Sequence, residues 1–189
     1  MKKGLLIILS GPSGVGKGTV REYIVNTHKI DIVFSISMTT RSPRIGETDG
    51  VEYYFVSEEE FERNVKEGNF LEHASFVGNR YGTPKAAVEK LRNEGKNVFL
   101  EIEVNGASQV LNNVKDDRVV SFFLKPPSIK QLENRIKGRK SEPEAIIKAR
   151  IDKGRRELKE AYKYDYIIVN DKVEKAGEKI IKIIEQKLA

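Results

Sequence analysis

The sequence predicts an α/β fold: a doubly wound parallel sheet as the core, with a small mixed α/β insertion and a helical excursion attached to it. Three observations carry this. Residues 4–9 are a continuous apolar run that stops at a glycine turn and passes into a helical pattern, which is how a parallel strand buried on both faces reads. Short β-rich runs at 98–102, 119–124 and 166–169 alternate with helical stretches, and such alternation builds a sheet with helices on its faces. Residues 34–84 break the rhythm, and their composition turns from basic to acidic.

In chain order, the strand at 4–9 feeds a helix over 17–27. The interrupting segment reads as strands at 34–38, 51–56 and 70–76 around one helix at 58–67, which opens on a capping box of Ser57 with Glu60. Helical spacing resumes at 85–93. After Pro126-Pro127, Ser128 with Gln131 caps a helix over 128–137. Residues 137–158 are polar and hold no strand, and Glu142-Pro143 starts a new helix there. The last helix, 172–187, places Val173, Ala176, Ile180, Ile183 and Ile184 on one face. The organisation is therefore a core of 1–33, 85–136 and 159–189, an insertion at 34–84 and an excursion at 137–158.

Composition narrows the chemistry. A chain of 189 residues suits one compact domain or a core with small insertions, and 39% hydrophobic residues suffice to bury one. Cysteine is absent, which excludes disulfides, thiolate zinc sites and cysteine nucleophiles. The two histidines, His28 and His73, read as surface or partly packed residues. Lys2-Lys3 before an apolar run imitates a signal peptide, but the run is too short for one, and none approaches the ~18 residues of a membrane span. The expectation is a cytoplasmic protein with no membrane partner. The net charge is +6, and residues 130–156 alone carry an excess of that size. With no aromatic residue interleaved, that stretch reads as a solvated helical face or as a surface for a compact polyanion, not for nucleic acid.

Gly11-Pro12-Ser13-Gly14-Val15-Gly16-Lys17-Gly18-Thr19 follows the buried strand and opens a helix. It matches the G-x-x-x-x-G-K part of the P-loop, where glycines turn backbone N–H groups onto phosphate oxygens and the lysine reaches the outer phosphates. Gly18 stands where most P-loops carry a magnesium-binding hydroxyl, and Thr19 follows it. This Gly-Thr variant resembles nucleoside monophosphate kinases.

A second constellation opens the insertion: Ser35-Ile36-Ser37-Met38-Thr39-Thr40-Arg41-Ser42-Pro43-Arg44, then Gly46-Glu47, Gly50-Val51-Glu52-Tyr53-Tyr54-Phe55, Phe70-Leu71-Glu72 and Gly78-Asn79-Arg80-Tyr81-Gly82-Thr83. Two arginines three apart can form a fork around a phosphate. Glu101 and Glu103 share one face at the end of an apolar strand, where such sheets bind ligands. Carboxylates there suit Mg²⁺ through water, a base amino group, or a salt bridge. Ile168-Val169-Asn170-Asp171 closes the last core strand.

In this order and spacing, over nearly the whole chain, these segments resemble guanylate kinase. The resemblance implies a phosphoryl transfer from ATP, with Mg²⁺, to GMP, giving ADP and GDP. It implies that Arg41, Arg44, Tyr53 and Tyr81 hold the GMP phosphate, and that Ser37, Glu72 and Thr83 read its base, with Glu101 and Glu103 nearby. The insertion is then the GMP-binding part and 137–158 a lid, with Arg139 and Arg150 over the ATP phosphates and Arg135 beside them. Asn170 and Asp171 resemble the adenine-side contact, and Thr19 and Glu103, the latter through water, are the metal candidates. Asn105 stands where the family commonly has Gln. The chemistry is consistent: guanine offers N1–H and N2–H₂ donors to a carboxylate, whereas adenine would leave it unpaired. Asp152, Arg155, Arg156 and Glu157 read as exposed, salt-bridged helix surface. Alternatives are a guanylate-kinase-like domain that binds a phosphorylated peptide and a kinase of another nucleoside monophosphate. No obligate protein partner is implied.

Overall fold

The computed structural model describes residues 2–76, 78–138 and 143–189. Strand β1 (Leu6–Ser10) is buried along its whole length and runs into helix α1 (Lys17–Asn26). Strand β2 (Ile32–Phe34) follows, then β3 (Ser37–Thr39), β4 (Tyr53–Phe55), helix α2 (Glu58–Lys66), and strands β5 (Phe70–Phe76) and β6 (Asn79–Pro84). Helix α3 (Lys85–Asn93) returns to β7 (Asn97–Glu101), and α4 (Val104–Asn113) leads to β8 (Val119–Lys125). Helices α5 (Ile129–Lys137) and α6 (Glu144–Glu157), a 3₁₀ turn at Leu158–Lys163, β9 (Tyr166–Val169) and α7 (Val173–Leu188) complete the chain.

Two sheets result, as the change of pattern at residue 34 predicts. The larger has the order β2-β7-β1-β8-β9. Its strands run parallel: Val98 N–H donates to the Leu5 carbonyl and Ile102 N–H to that of Leu9, and β8 pairs with β9 from Phe122 opposite Tyr166 to Lys125 opposite Val169. The smaller has the order β4-β3-β6-β5, with β3 parallel to β4 and antiparallel to β6, and β5 antiparallel to β6. The run 34–38 is not one strand. Ser35 and Ile36 separate β2 from β3, which belong to different sheets. Strand β6 gave no apolar signal, because Asn, Arg, Gly and Pro in six residues read as a turn until partners on both sides pair with them.

By contacts the chain forms two compact units. One comprises Met1–Leu6, Val33–Phe99 and Asn105–Arg118; the other comprises Ile7–Ile32, Leu100–Val104 and Val119–Ala189. In the first, Phe61 of α2 stacks on Phe70 with ring centroids 4.7 Å apart, and Ser57 caps α2 by accepting the Glu60 N–H at 3.1 Å. Arg92 of α3 is fully buried. It donates to the Gly4 carbonyl at 3.0 Å and pairs with Glu89 at 3.0 Å and Asp116 at 2.9 Å. In the second, Leu132 and Ile136 of α5 pack on Ile151 of α6, and Ser128 caps α5 through the Gln131 N–H at 3.2 Å. Ala176, Ile180, Ile181, Ile183 and Ile184 bury one face of α7. Among the described residues no helix is long and apolar enough to cross a membrane.

Candidate active site

Residues Gly11–Thr19 hang from the buried end of β1. Gly11, Gly14 and Gly16 have φ of 150°, 82° and 96°, a region that side chains rarely tolerate. Gly16 also has no room for a side chain, since a Cβ there would stand 2.7 Å from Asn170 Nδ2. With these bends the loop curls ahead of α1, so the helix N-terminus and successive backbone N–H groups can serve one anion. Lys17 folds back and donates to the Gly11 carbonyl at 2.7 Å. Burial pushes its ammonium pKa down, and the nearby carboxylates of Glu101, Glu103 and Glu157 pull it back up.

A cleft of about 390 Å³ opens here, lined by Ser13, Gly14, Gly16, Lys17, Gly18, Thr19, Glu101, Ile102 and Glu103. Glu101 pairs with Arg21 at 3.3 Å and Glu103 with Lys153 at 2.8 Å. Among the described residues no cluster of three or more His, Asp or Glu could hold a metal ion by itself. An exposed hydroxyl (Thr19) and a rim of carboxylates nevertheless fit Mg²⁺, which takes one or two protein ligands and fills its shell with phosphate oxygens and water.

Two side chains brace the loop, one from the residue after β9 and one from α5. Asn170 Nδ2 donates to the Val15 carbonyl at 2.8 Å, and Arg135 reaches the same carbonyl and that of Asn170, both at 3.1 Å. Asn170 is 2% exposed, and its Oδ1 is buried with no partner among the described residues. Asp171 is exposed. From α6, Arg150 donates to Ser13 Oγ at 2.9 Å. Arg139 lies outside the described residues.

Glu157 corrects the sequence reading. Its side chain is 11% exposed, not a solvated surface group: the last turn of α6 sets its Oε1 3.7 Å from Lys153, and its Oε2 is buried with no hydrogen-bond partner among the described residues. Burial pushes its carboxyl pKa up. Its neighbour Arg155 is exposed and pairs with Glu133 at 2.6 Å, as that reading expects.

The other constellation lies wholly in the first unit. Pairing sets Ser37 opposite Tyr53 and Thr39 opposite Tyr81, which brings the two tyrosine rings to 6.0 Å. The Arg41 guanidinium lies 5.4 Å from the Tyr53 ring centre and 5.7 Å from that of Phe55. Glu47 grips it with both oxygens at 2.8 and 2.9 Å and also accepts the Arg44 N–H at 2.7 Å. The Arg44 side chain is exposed. Glu72 and Thr83 face each other across β5 and β6, with Thr83 Oγ1 donating to Glu72 Oε1 at 2.6 Å. Glu72 is 8% exposed and Thr83 1%.

The sequence reading assigned no role to Glu47, Lys153 or Arg21. For Glu47 a signal existed: a carboxylate after Gly46, three residues beyond Arg44, in a segment of turn formers. Lys153 and Arg21 depend on which helix faces which strand end.

A family model described as guanylate kinase matches residues 3–187. A guanylate kinase of Mesoplasma florum is 52% identical over 182 residues, covering 96% of this chain and 61% of that protein. One of Streptococcus agalactiae is 50% identical over 186 residues, covering 97% of this chain and 87% of that protein. The chain thus spans about 61% of the length of the first of these relatives. Among solved structures, guanylate kinase from Anaplasma phagocytophilum superposes with a TM-score of 0.73 at 33% identity, covering 98% of this chain and 87% of that one. TT1252 from Thermus thermophilus, at 16% identity and a TM-score of 0.55, shares the fold.

Proposed function

The chain belongs to the guanylate kinase family, and from that premise we propose that it transfers the γ-phosphoryl group of ATP to GMP, giving ADP and GDP. One observation carries the reading: a single chain holds a glycine loop built for phosphate and, on other strands, a buried carboxylate hydrogen-bonded to a threonine hydroxyl. A buried Glu72 with Thr83 and Ser37 is suited to a base with adjacent N–H donors and rejects one that presents an acceptor there. Arg41, Arg44, Tyr53 and Tyr81 are the phosphate-holding set of the acceptor.

The attacking oxygen belongs to a phosphate whose second pKa is about 6, so it is already deprotonated at neutral pH and no general base is needed. Catalysis falls to positioning and charge neutralisation. Lys17 exchanges the Gly11 carbonyl for phosphate oxygens, Arg135, Arg139 and Arg150 spread positive charge over the donor, and Asn170 with Asp171 faces the adenine. The magnesium ion that accompanies ATP neutralises phosphate charge, with Thr19 and, through water, Glu103 as the residues that would hold it. In this reading 34–84 binds GMP, 137–158 closes as a lid, and the remainder is the nucleotide-binding core. The enzyme works in the cytoplasm on free nucleotides, without nucleic acid, membrane or an obligate protein partner.

The test is ADP release with Mg·ATP and GMP, dGMP, AMP, CMP or UMP in turn, for the wild type and Lys17→Ala. Turnover with GMP and scarcely with AMP, falling by about 100-fold or more in the variant, is expected. Turnover with another acceptor overturns the base assignment. A folded, GMP-binding protein with no turnover makes it a binding module.

A further inference from the structure

We infer that helix α4 sets where the Glu72 carboxylate stands, through Gly106, which leaves the space it occupies, and Gln109, which fixes the strand that carries it. The inference rests on the reading of Glu72 as the base-reading group. A glycine inside a helix weakens it, so its use calls for a reason of space. Here the reason is visible: a Cβ at residue 106 would stand 2.5 Å from Glu72 Oε2, 3.1 Å from its Cδ and 3.3 Å from its Cγ. Even the smallest side chain at this position therefore displaces the carboxylate. The carboxylate cannot yield freely, because Oε1 is tied to Thr83 at 2.6 Å and the side chain is buried.

Gln109 lies three residues on, on the same side of the helix. Its Oε1 accepts the His73 N–H at 3.1 Å and its Nε2 donates to the His73 carbonyl at 2.9 Å. Strand β5 is an edge of its sheet. The amide occupies the open edge as a neighbouring strand would, and pins the backbone one residue beyond Glu72. Neither residue touches reacting atoms in this account. Both are positioning residues, and the property they protect is discrimination between purine bases.

The experiment is steady-state kinetics and GMP titration on the full chain carrying Gly106→Ala, Gln109→Ala, Gln109→Glu, Glu72→Ala, and each of the first two combined with Glu72→Ala. Gly106→Ala is expected to raise the KM for GMP about tenfold and narrow the GMP-over-AMP preference, with the KM for ATP within about twofold of wild type. The decisive result is coupling: with Glu72 already replaced, Gly106→Ala should weaken GMP binding no further. Should that variant not fold, Gln109→Ala carries the same test, with Gln109→Glu, which keeps the acceptor for the His73 N–H, falling between it and wild type. An unchanged KM and preference in Gly106→Ala, or an equal penalty with and without Glu72, overturns the inference. Glu72→Ala with undiminished GMP preference instead overturns the reading of Glu72 itself, so the two failures are distinct.

Discussion

Glu47 holds Arg41 by two parallel hydrogen bonds, 2.8 and 2.9 Å long, and this pair stations the guanidinium over the Tyr53 ring. An arginine left to itself in a turn would sample many rotamers. The fork presents one, so less ordering remains to be done if the guanidinium takes a phosphate as proposed.

On the proposed role of Arg41, removing the fork acts on the acceptor alone. Glu47→Gln should raise the KM for GMP by about tenfold, within the range of a hydrogen bond to a charged group, and leave the KM for ATP as it was. Initial rates with one nucleotide varied at a time measure both. An equal rise for the two nucleotides would show that Glu47 serves the fold and not the site.

Asp116 predicts an acid limb of stability. Burial pushes its carboxyl up, but hydrogen bonds from Lys3 and from the Arg118 N–H, with the charge of Arg92, outweigh it and hold the pKa at about 2, against 3.8 normally. A depressed carboxyl pKa contributes stability above the unfolded value that is lost as pH falls through the folded one. Discounted for solvent screening, the loss is about 1–2 kcal/mol between pH 5 and pH 2. Asp116→Asn should abolish that slope and, by leaving the fully buried Arg92 short of a charge partner, cost about 3 kcal/mol at pH 7. Urea unfolding of both proteins across this range checks slope and offset together.

Glu157 predicts the opposite sign. Burial makes its carboxyl easier to protonate in the folded chain than in the unfolded one, with Lys153 and Lys17 opposing and Glu103 assisting. The native state then binds more protons just above the ordinary carboxylate range, and the stability it contributes falls as pH rises through that window. Glu157→Gln, which keeps the size and shape of the side chain without its charge, should gain on the wild type as pH rises from 4.5 to 7. Parallel stability curves would refute this.

How far the fold was legible follows from where its information lies. The loop Gly11–Thr19 is local: strand, glycines and helix are contiguous, so their letters suffice. Strand β5 and helix α3 carry their own periodicity and have the bounds their pattern predicts. Strand β6 does not, because its pairing with β3 and β5 is what makes it a strand. Nothing in the local pattern marks Arg92 for burial, since its partners, the Gly4 carbonyl and Asp116, come from distant segments. Glu157 fails for a related reason. Helix α6 is so rich in charge that no apolar stripe marks the side it buries. The pairing of Thr83 with Glu72 needed the register of a hairpin whose second strand was invisible.

Strand β1 lies between β7 and β8 with all five of its residues buried, and its backbone belongs to the class of amides that exchange with solvent only when the domain opens globally. The phosphate loop is welded to that girder at Ser10 and tied off again by Asn170 and Arg135 at Val15. A loop held at both ends in this way offers an incoming anion a fixed frame, and the Lys17 ammonium, now spent on the Gly11 carbonyl, is the group within it that can change partner.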